Sequence, residues 1–106
     1  MSKITMRLIA TALEDDPDTL QVKALIRHPN NNGLGRTTDG TPIGAHHLTE
    51  VSLRVNDDTV LTLFSGSGLA ADPLFGWRVA GKAGDSVVVT WRDNKGDEGE
   101  GKTVAR

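Results

Sequence analysis

The hydrophobic pattern of this chain repeats every two residues, and that period constrains the fold more than any other feature. Apolar and polar residues alternate in five segments, Ile4–Leu8, Leu20–Ile26, Val51–Val55, Phe75–Val79 and Val87–Trp91. A strand places successive side chains on opposite faces, and β-branched and aromatic residues favour that geometry. The pattern therefore predicts half-buried β-strands.

Turn-forming residues separate these segments. Asp15–Asp18 lies between the first two, and Asn56–Asp58 predicts a hairpin turn. Gly81–Gly84 precedes the Val87 segment. Asp93–Gly96 fits a hairpin whose glycine takes the left-handed position. The polar segment Glu98–Val104 is expected to form a weak edge strand, since polar residues discourage unwanted strand pairing.

About seven short strands with regular turns predict an all-β protein, an immunoglobulin-like antiparallel β-sandwich formed by a single domain over residues 1–106. Only Ser67–Phe75 is compatible with a short helical turn, which Pro73 limits. No Cys-Trp-Cys core is present, so we expect Trp77 and Trp91 to fill the centre by packing alone.

Composition excludes several classes of function. The net charge is −2 with acids and bases mixed, so neither nucleic acid nor an anionic membrane is an expected partner. The chain has no cysteine, which removes thiol catalysis, disulfides and thiolate metal sites. The N-terminus enters a strand-like pattern at once, and we expect no signal peptide and no transmembrane segment.

We find no active site in the sequence. The segment Phe64–Gly68 has its glycines in the wrong register for a nucleophile elbow, and no Lys-Ser/Thr pair follows to make a phosphate loop. The paired carboxylates lie in predicted turns, where solvent-exposed acids are expected. We therefore expect a protein that is not an enzyme, with no catalytic residues, no metal and no cofactor.

The polar stretch from His28 to His47 is the candidate site, because it contains all three histidines and a glycine- and asparagine-rich loop. Loops on a rigid scaffold often carry function. His46 and His47 are adjacent, so in an extended chain their rings point to opposite faces. His28 and His46 could converge if the loop folds back, and with Met6 they could hold copper, which accepts imidazole and thioether ligands. The alternative is that these histidines bond to the backbone.

Several segments, in order, resemble the SoxZ family. Leu25–Gly33, with the sequence Leu-Ile-Arg-His-Pro-Asn-Asn-Asn-Gly, resembles the family's Leu-Ile-Lys-His-Pro-Met-Glu-Thr-Gly. Gly40–His46 resembles its Gly-x-x-Ile-Pro-x-His, and Ala71–Leu74 its Ala-Asn-Pro-Tyr. Trp91–Gly96 matches its Trp-x-Asp-x-x-Gly. The chain departs from the family where three asparagines replace Met-Glu-Thr.

The resemblance implies a non-catalytic subunit that binds and scaffolds SoxY, the protein that carries sulfur intermediates on a cysteine in periplasmic thiosulfate oxidation. It implies a SoxYZ heterodimer, transient contact with Sox redox enzymes, and export together with the partner rather than by a signal peptide of its own. When the partner is missing, exposed edge strands make a homodimer plausible.

From the loop and the resemblance together, we predict a partner-binding surface formed by His28, Pro29, Asn30, Gly33 and His46. Two alternatives stay open. One is a copper-binding periplasmic β-sandwich that uses His28, His46 and Met6, and the other is a generic protein-interaction domain.

Overall fold

Two antiparallel sheets pack face to face. The computed structural model describes residues 6–28, 46–66 and 71–106. Its seven strands are β1 (Met6–Ala12), β2 (Thr19–Ile26), β3 (Leu48–Val55), β4 (Asp58–Phe64), β5 (Leu74–Ala80), β6 (Ser86–Asp93) and β7 (Glu98–Val104). One sheet has the order β1-β2-β5 and the other the order β4-β3-β6-β7. The predicted all-β sandwich of about seven strands is confirmed.

The core forms from the inward-facing residues of the central strands. On β2 the alternate residues are buried, and β3 and β6 face them with their own apolar residues. The fully buried members include Leu20, Val22, Ala24, Ile26, Val51, Leu53, Val87 and Val89. Burying a Val, Leu or Ile side chain contributes about 1.5–3 kcal/mol to folding. Since this core draws on both sheets, it holds them together.

Trp91 is the largest buried side chain of the described residues, only 2% exposed. It lies on β6 opposite Gly99 of β7. A Cβ added to Gly99 would come within 2.5 Å of the indole nitrogen. Glycine at this position therefore lets the main chain of β7 run directly over the indole ring.

Trp77 does not share the central position predicted for both tryptophans. It lies on β5, an edge strand, where it is half-buried against the core. Its ring stacks on that of Phe75, with centroids 5.6 Å apart and planes 7° apart. The predicted helical turn is wrong at its C-terminal end, because Leu74 begins β5. Residues 67–70 of that prediction lie outside the described residues.

The two predicted hairpin turns are present. Between β3 and β4, Asn56 and Asp57 have φ of 50° and 71°, a conformation that Asn and Asp tolerate better than other non-glycine residues. Asp58, predicted in the turn, opens β4. Gly96 has φ of 84° between β6 and β7, as the sequence predicts.

The C-terminal residues join the two sheets at one end of the sandwich. The backbone N–H of Arg106 donates to the carbonyl of Ala10 at 3.1 Å, and the N–H of Ala12 donates to the carbonyl of Arg106 at 2.7 Å. Ala105 donates to the carbonyl of Asp85, just before β6. These bonds connect β1 of one sheet to the start of β6 in the other.

Candidate functional site

At the opposite end of the sandwich, two histidines and an aspartate meet in what we call the His–Asp–His cluster, formed by His28, Asp93 and His46. The Nε2 atom of His28 lies 3.0 Å from Oδ2 of Asp93. The Nε2 atom of His46 lies 2.7 Å from the same oxygen. The side chains of His28 and Asp93 are fully buried, and that of His46 is 19% exposed.

The strand period explains why these side chains point inward. Ile26 is the last buried residue of β2, and His28 lies two positions later on the same face. Trp91 and Asp93 have the same relation at the end of β6. The cluster thus joins an element of the three-stranded sheet to an element of the four-stranded one.

Asp93 accepts hydrogen bonds at both carboxylate oxygens. A carboxylate only accepts, so Nε2 of each imidazole carries the hydrogen that is donated to Oδ2. Oδ1 accepts the backbone N–H groups of Lys95 at 3.0 Å and Asp97 at 2.9 Å. One buried side chain therefore orients both histidines and also closes the β6–β7 turn.

The surroundings of His28 and Asp93, the two buried members of the cluster, shift the pKa values of both. Burial lowers the pKa of His28 more than the hydrogen bond to Asp93 raises it, and His46 lowers it further. Burial would raise the pKa of Asp93, but hydrogen bonds from His28, His46 and the Asp97 and Lys95 backbone together lower it. At neutral pH we therefore expect a neutral His28 beside an ionised Asp93.

Aromatic packing fixes the rings of the cluster. The His28 and His46 centroids are 4.5 Å apart with an edge-to-face arrangement. Trp91 also packs edge-to-face on His28, with ring centroids 5.9 Å apart. His28 thus contacts both a second imidazole and the largest buried side chain of the described residues.

The predicted histidine pair comes together, while the third histidine does not. His46 and His47 point apart as expected: the backbone N–H of His47 donates to Oδ1 of Asn94, and its Nδ1 lies 3.2 Å from the Leu48 carbonyl oxygen. The sulfur of Met6, the thioether of the copper hypothesis, lies against Gly101 of β7. Pro29, Asn30 and Gly33 lie outside the described residues, so the five-residue partner surface stays a prediction.

Asp93 is the site residue that the sequence reasoning missed. The sequence predicts Asp93 in a turn, where an acid is expected to be solvent-exposed, and this is wrong because Asp93 is the last residue of β6 and is 6% exposed. The available signal was its spacing: it follows inward-facing Trp91 by two residues, which puts it on the core face.

Two surface grooves contain none of the three residues of the cluster. One, of about 450 Å³, crosses β3, β6 and β7 and is lined mainly by polar and charged residues, together with Trp91 and Gly99. Some of the charges in this groove are paired, since Nε of Arg92 lies 3.4 Å from Oε2 of Glu98. The other groove lies near the β3–β4 turn, towards the end that holds the C-terminal residues. Neither contains a histidine, which leaves the His–Asp–His cluster as the candidate site among the described residues.

The comparison with protein families matches residues 6–104 to the model of the sulphur oxidation protein SoxZ. The chain belongs to the SoxZ family. Membership implies a role in sulfur oxidation and a partnership within the Sox system. No curated protein matches the chain. Residues 6–28, 46–66 and 71–106 of this SoxZ-family chain contain no helix long and apolar enough to cross a membrane.

Each residue of the cluster lies in one of the segments that resemble the SoxZ family. His28 lies in the Leu25–Gly33 segment, His46 ends the Gly40–His46 segment, and Asp93 lies in the Trp91–Gly96 segment. The fold therefore joins three separate SoxZ-like segments at a single buried carboxylate.

Proposed function

We propose that this SoxZ-family protein is the non-catalytic subunit of a sulfur-carrier complex, and that it scaffolds a SoxY-like partner whose cysteine bears the sulfur intermediate. The family match over residues 6–104 carries the proposal. The chain has no cysteine of its own, so the thiol that such a carrier needs must come from another chain. By the same family argument, the complex acts in the periplasm on thiosulfate-derived sulfur and enters it by export with the partner.

The two most exposed large apolar side chains of the described residues support a protein contact at the end that carries the cluster. Phe64 on β4 is 76% exposed and Leu74 on β5 is 66% exposed. Both strands are sheet edges. Phe64 pairs with Glu50, near the start of β3, and Leu74 pairs with Leu25, near the end of β2. Both side chains therefore lie at the end of the sandwich that holds the cluster. Exposed aromatic and aliphatic side chains at unpaired edges favour association with another chain.

A rigid scaffold suits a carrier whose reactive cysteine must reach several enzymes. The cluster joins His28, just after β2, and His46, just before β3, to the end of β6. β2 and β3 are the strands that flank the loop of the predicted partner-binding surface. A stable heterodimer also buries area that each subunit lacks alone. Contacts with Sox redox enzymes would then be transient and made by the complex.

Co-purification tests the proposal. The tagged chain is co-expressed with the neighbouring open reading frames, and bound proteins are identified by intact mass. We expect one stoichiometric partner with a single cysteine in a glycine-rich C-terminal tail, part of it carrying added sulfur mass. A monomer that binds no such protein would refute the scaffold role and favour a generic interaction domain.

Variants then locate the contact. We expect Phe64→Ser and Leu74→Ser to weaken partner binding, whereas Ile9→Ser should not. Ile9 is a suitable control because it is also apolar, 53% exposed and on an edge strand, but on β1. Equal affinities for all three variants would exclude the cluster end as the docking region.

A further inference from the structure

We propose that the His–Asp–His cluster is a binding site for a divalent cation of the zinc class, with Nε2 of His28, Nε2 of His46 and a carboxylate oxygen of Asp93 as ligands. The three ligand atoms lie within 4.8 Å of one another. Two imidazoles and one carboxylate make a ligand set that zinc accepts, and three protein ligands leave one coordination position open. This site is additional to the scaffold role and does not depend on it.

The two distances from the imidazole nitrogens to the carboxylate oxygen are close to those that a metal needs. Tetrahedral zinc with bonds of about 2.0–2.2 Å separates its ligand atoms by roughly 3.4 Å. The two Nε2–Oδ2 distances are 3.0 and 2.7 Å. An ion would therefore move each pair apart by about 0.4–0.7 Å. His46, the partly exposed member, is the side chain with room to move.

Groups around the ligands are arranged as metal sites require. Hydrogen bonds from neighbouring groups orient metal ligands and sustain affinity, and Oδ1 of Asp93 already accepts two backbone N–H groups. Packing on Trp91 and His46 fixes the His28 ring. The ligands come from three separate segments, so an ion here would also bind the two sheets together.

Metal binding must change the hydrogen positions in a defined way. In the metal-free cluster each Nε2 carries the hydrogen that is donated to Asp93. When Nε2 binds the ion, it no longer carries a hydrogen, so the ring N–H of each imidazole must lie at Nδ1 instead. The two N–H···O bonds are replaced by two N–metal bonds and one O–metal bond. This tautomer change is a signature that no purely structural role would produce.

The ligand set also separates this site from the copper hypothesis. Cuprous copper favours thioether and thiolate ligands, whereas a carboxylate suits harder ions. Asp93 is in the cluster, while the Met6 sulfur packs against Gly101. The proposed ion is therefore bound by nitrogen and oxygen, with Met6 playing no part.

Zinc titration of the full chain, stripped of metal with EDTA, tests the proposal. Calorimetry should show one zinc ion per chain, and ¹⁵N-labelled histidine spectra should show His28 and His46 changing from the Nε2–H to the Nδ1–H form. We expect His46→Ala to weaken binding at least about 10-fold, comparable to the loss of a supporting residue in other metal sites. His47→Ala is the matched control and should bind as the unaltered chain does.

Three results would overturn the site: no binding below about 1 mM zinc, equal affinity in His46→Ala, or loss of binding in His47→Ala instead. Far-ultraviolet circular dichroism of each variant checks that its fold is intact. The tautomer measurement uses the unaltered chain, so the proposal remains testable even if a variant fails to fold.

Discussion

Replacing Asp93 by Asn isolates the contribution of one buried negative charge, because the side chains have the same shape. Oδ1 can still accept the N–H groups of Lys95 and Asp97, which hold the β6–β7 turn. The new amide stands where Oδ2 accepted the N–H groups of His28 and His46. An N–H group would then face an N–H group on each ring, unless both imidazoles change tautomer.

The size of the effect follows from the two bonds that lose their charge. Hydrogen bonds to a charged group contribute about 1.5–3 kcal/mol each, and neutral ones about 0.5–1.5 kcal/mol. Even if both rings adapt, each bond loses about 1–1.5 kcal/mol, so the free energy of unfolding should fall by about 2–3 kcal/mol. For a domain of this size that lowers Tm by at least about 8 °C.

Urea unfolding at pH 7.5 in the presence of EDTA measures this loss, with tryptophan fluorescence as the signal. Trp91 is a direct reporter, since it packs on His28 at 5.9 Å. Asp97→Asn is the matched control: it makes the same chemical change in the same turn, but at an exposed side chain. If the Asp93 variant were destabilised by no more than the Asp97 variant, the charged cluster would have no part in stability.

Three further predictions follow from the core and the cluster. Gly99→Ala should destabilise the fold by about 1–3 kcal/mol, because its methyl group would overlap the buried indole ring of Trp91. Gly76→Ala should have little effect, because a methyl group there makes only an ordinary contact with Gln21. Thermal unfolding of the two variants compares their stabilities. Stability should also fall with acid, because the folded-state pKa values of His28 and Asp93 are both lowered and the unfolded chain therefore binds more protons below pH 6.5 and again below pH 3.8. Urea midpoints measured from pH 8 to pH 3 should decrease in both ranges. A midpoint that rises from pH 7 to pH 5 would contradict the assigned protonation states. Leu53→Ala should reduce the free energy of unfolding by about 2–5 kcal/mol, since that side chain is wholly buried, and a loss below 1 kcal/mol would show that the core can collapse around the gap.

The strands could be predicted from sequence because their cause is local. Alternation and turn residues act over a few neighbouring positions, and the five alternating segments overlap β1, β2, β3, β5 and β6, while the turn residues located the left-handed Gly96. The strand order could not be predicted in this way. The pairing of β3 with β6 and of β2 with β5 depends on contacts far apart along the chain.

The candidate site was predicted only in part, for a related reason. His28 and His46 were identified from their loop, but the group that joins them lies 47 residues beyond His46. Asp93 starts a turn, and turn chemistry favours an exposed acid. The two-residue period of β6, counted from the inward-facing Trp91, instead favours an Asp93 side chain that points into the core. In the folded chain the side chain does point inward. Burial is possible there because four hydrogen-bond donors surround the carboxylate.

The polar connections at the two ends of the sandwich have a mechanical consequence. Apolar packing has no fixed direction, so an apolar interface alone would tolerate shear between the sheets. Here the main-chain bonds of Ala105 and Arg106 fix one end and the Asp93 carboxylate fixes the other. With both ends fixed, the sheets cannot slide past each other without breaking directional bonds. A force applied at the cluster end should therefore move the sandwich as one rigid body.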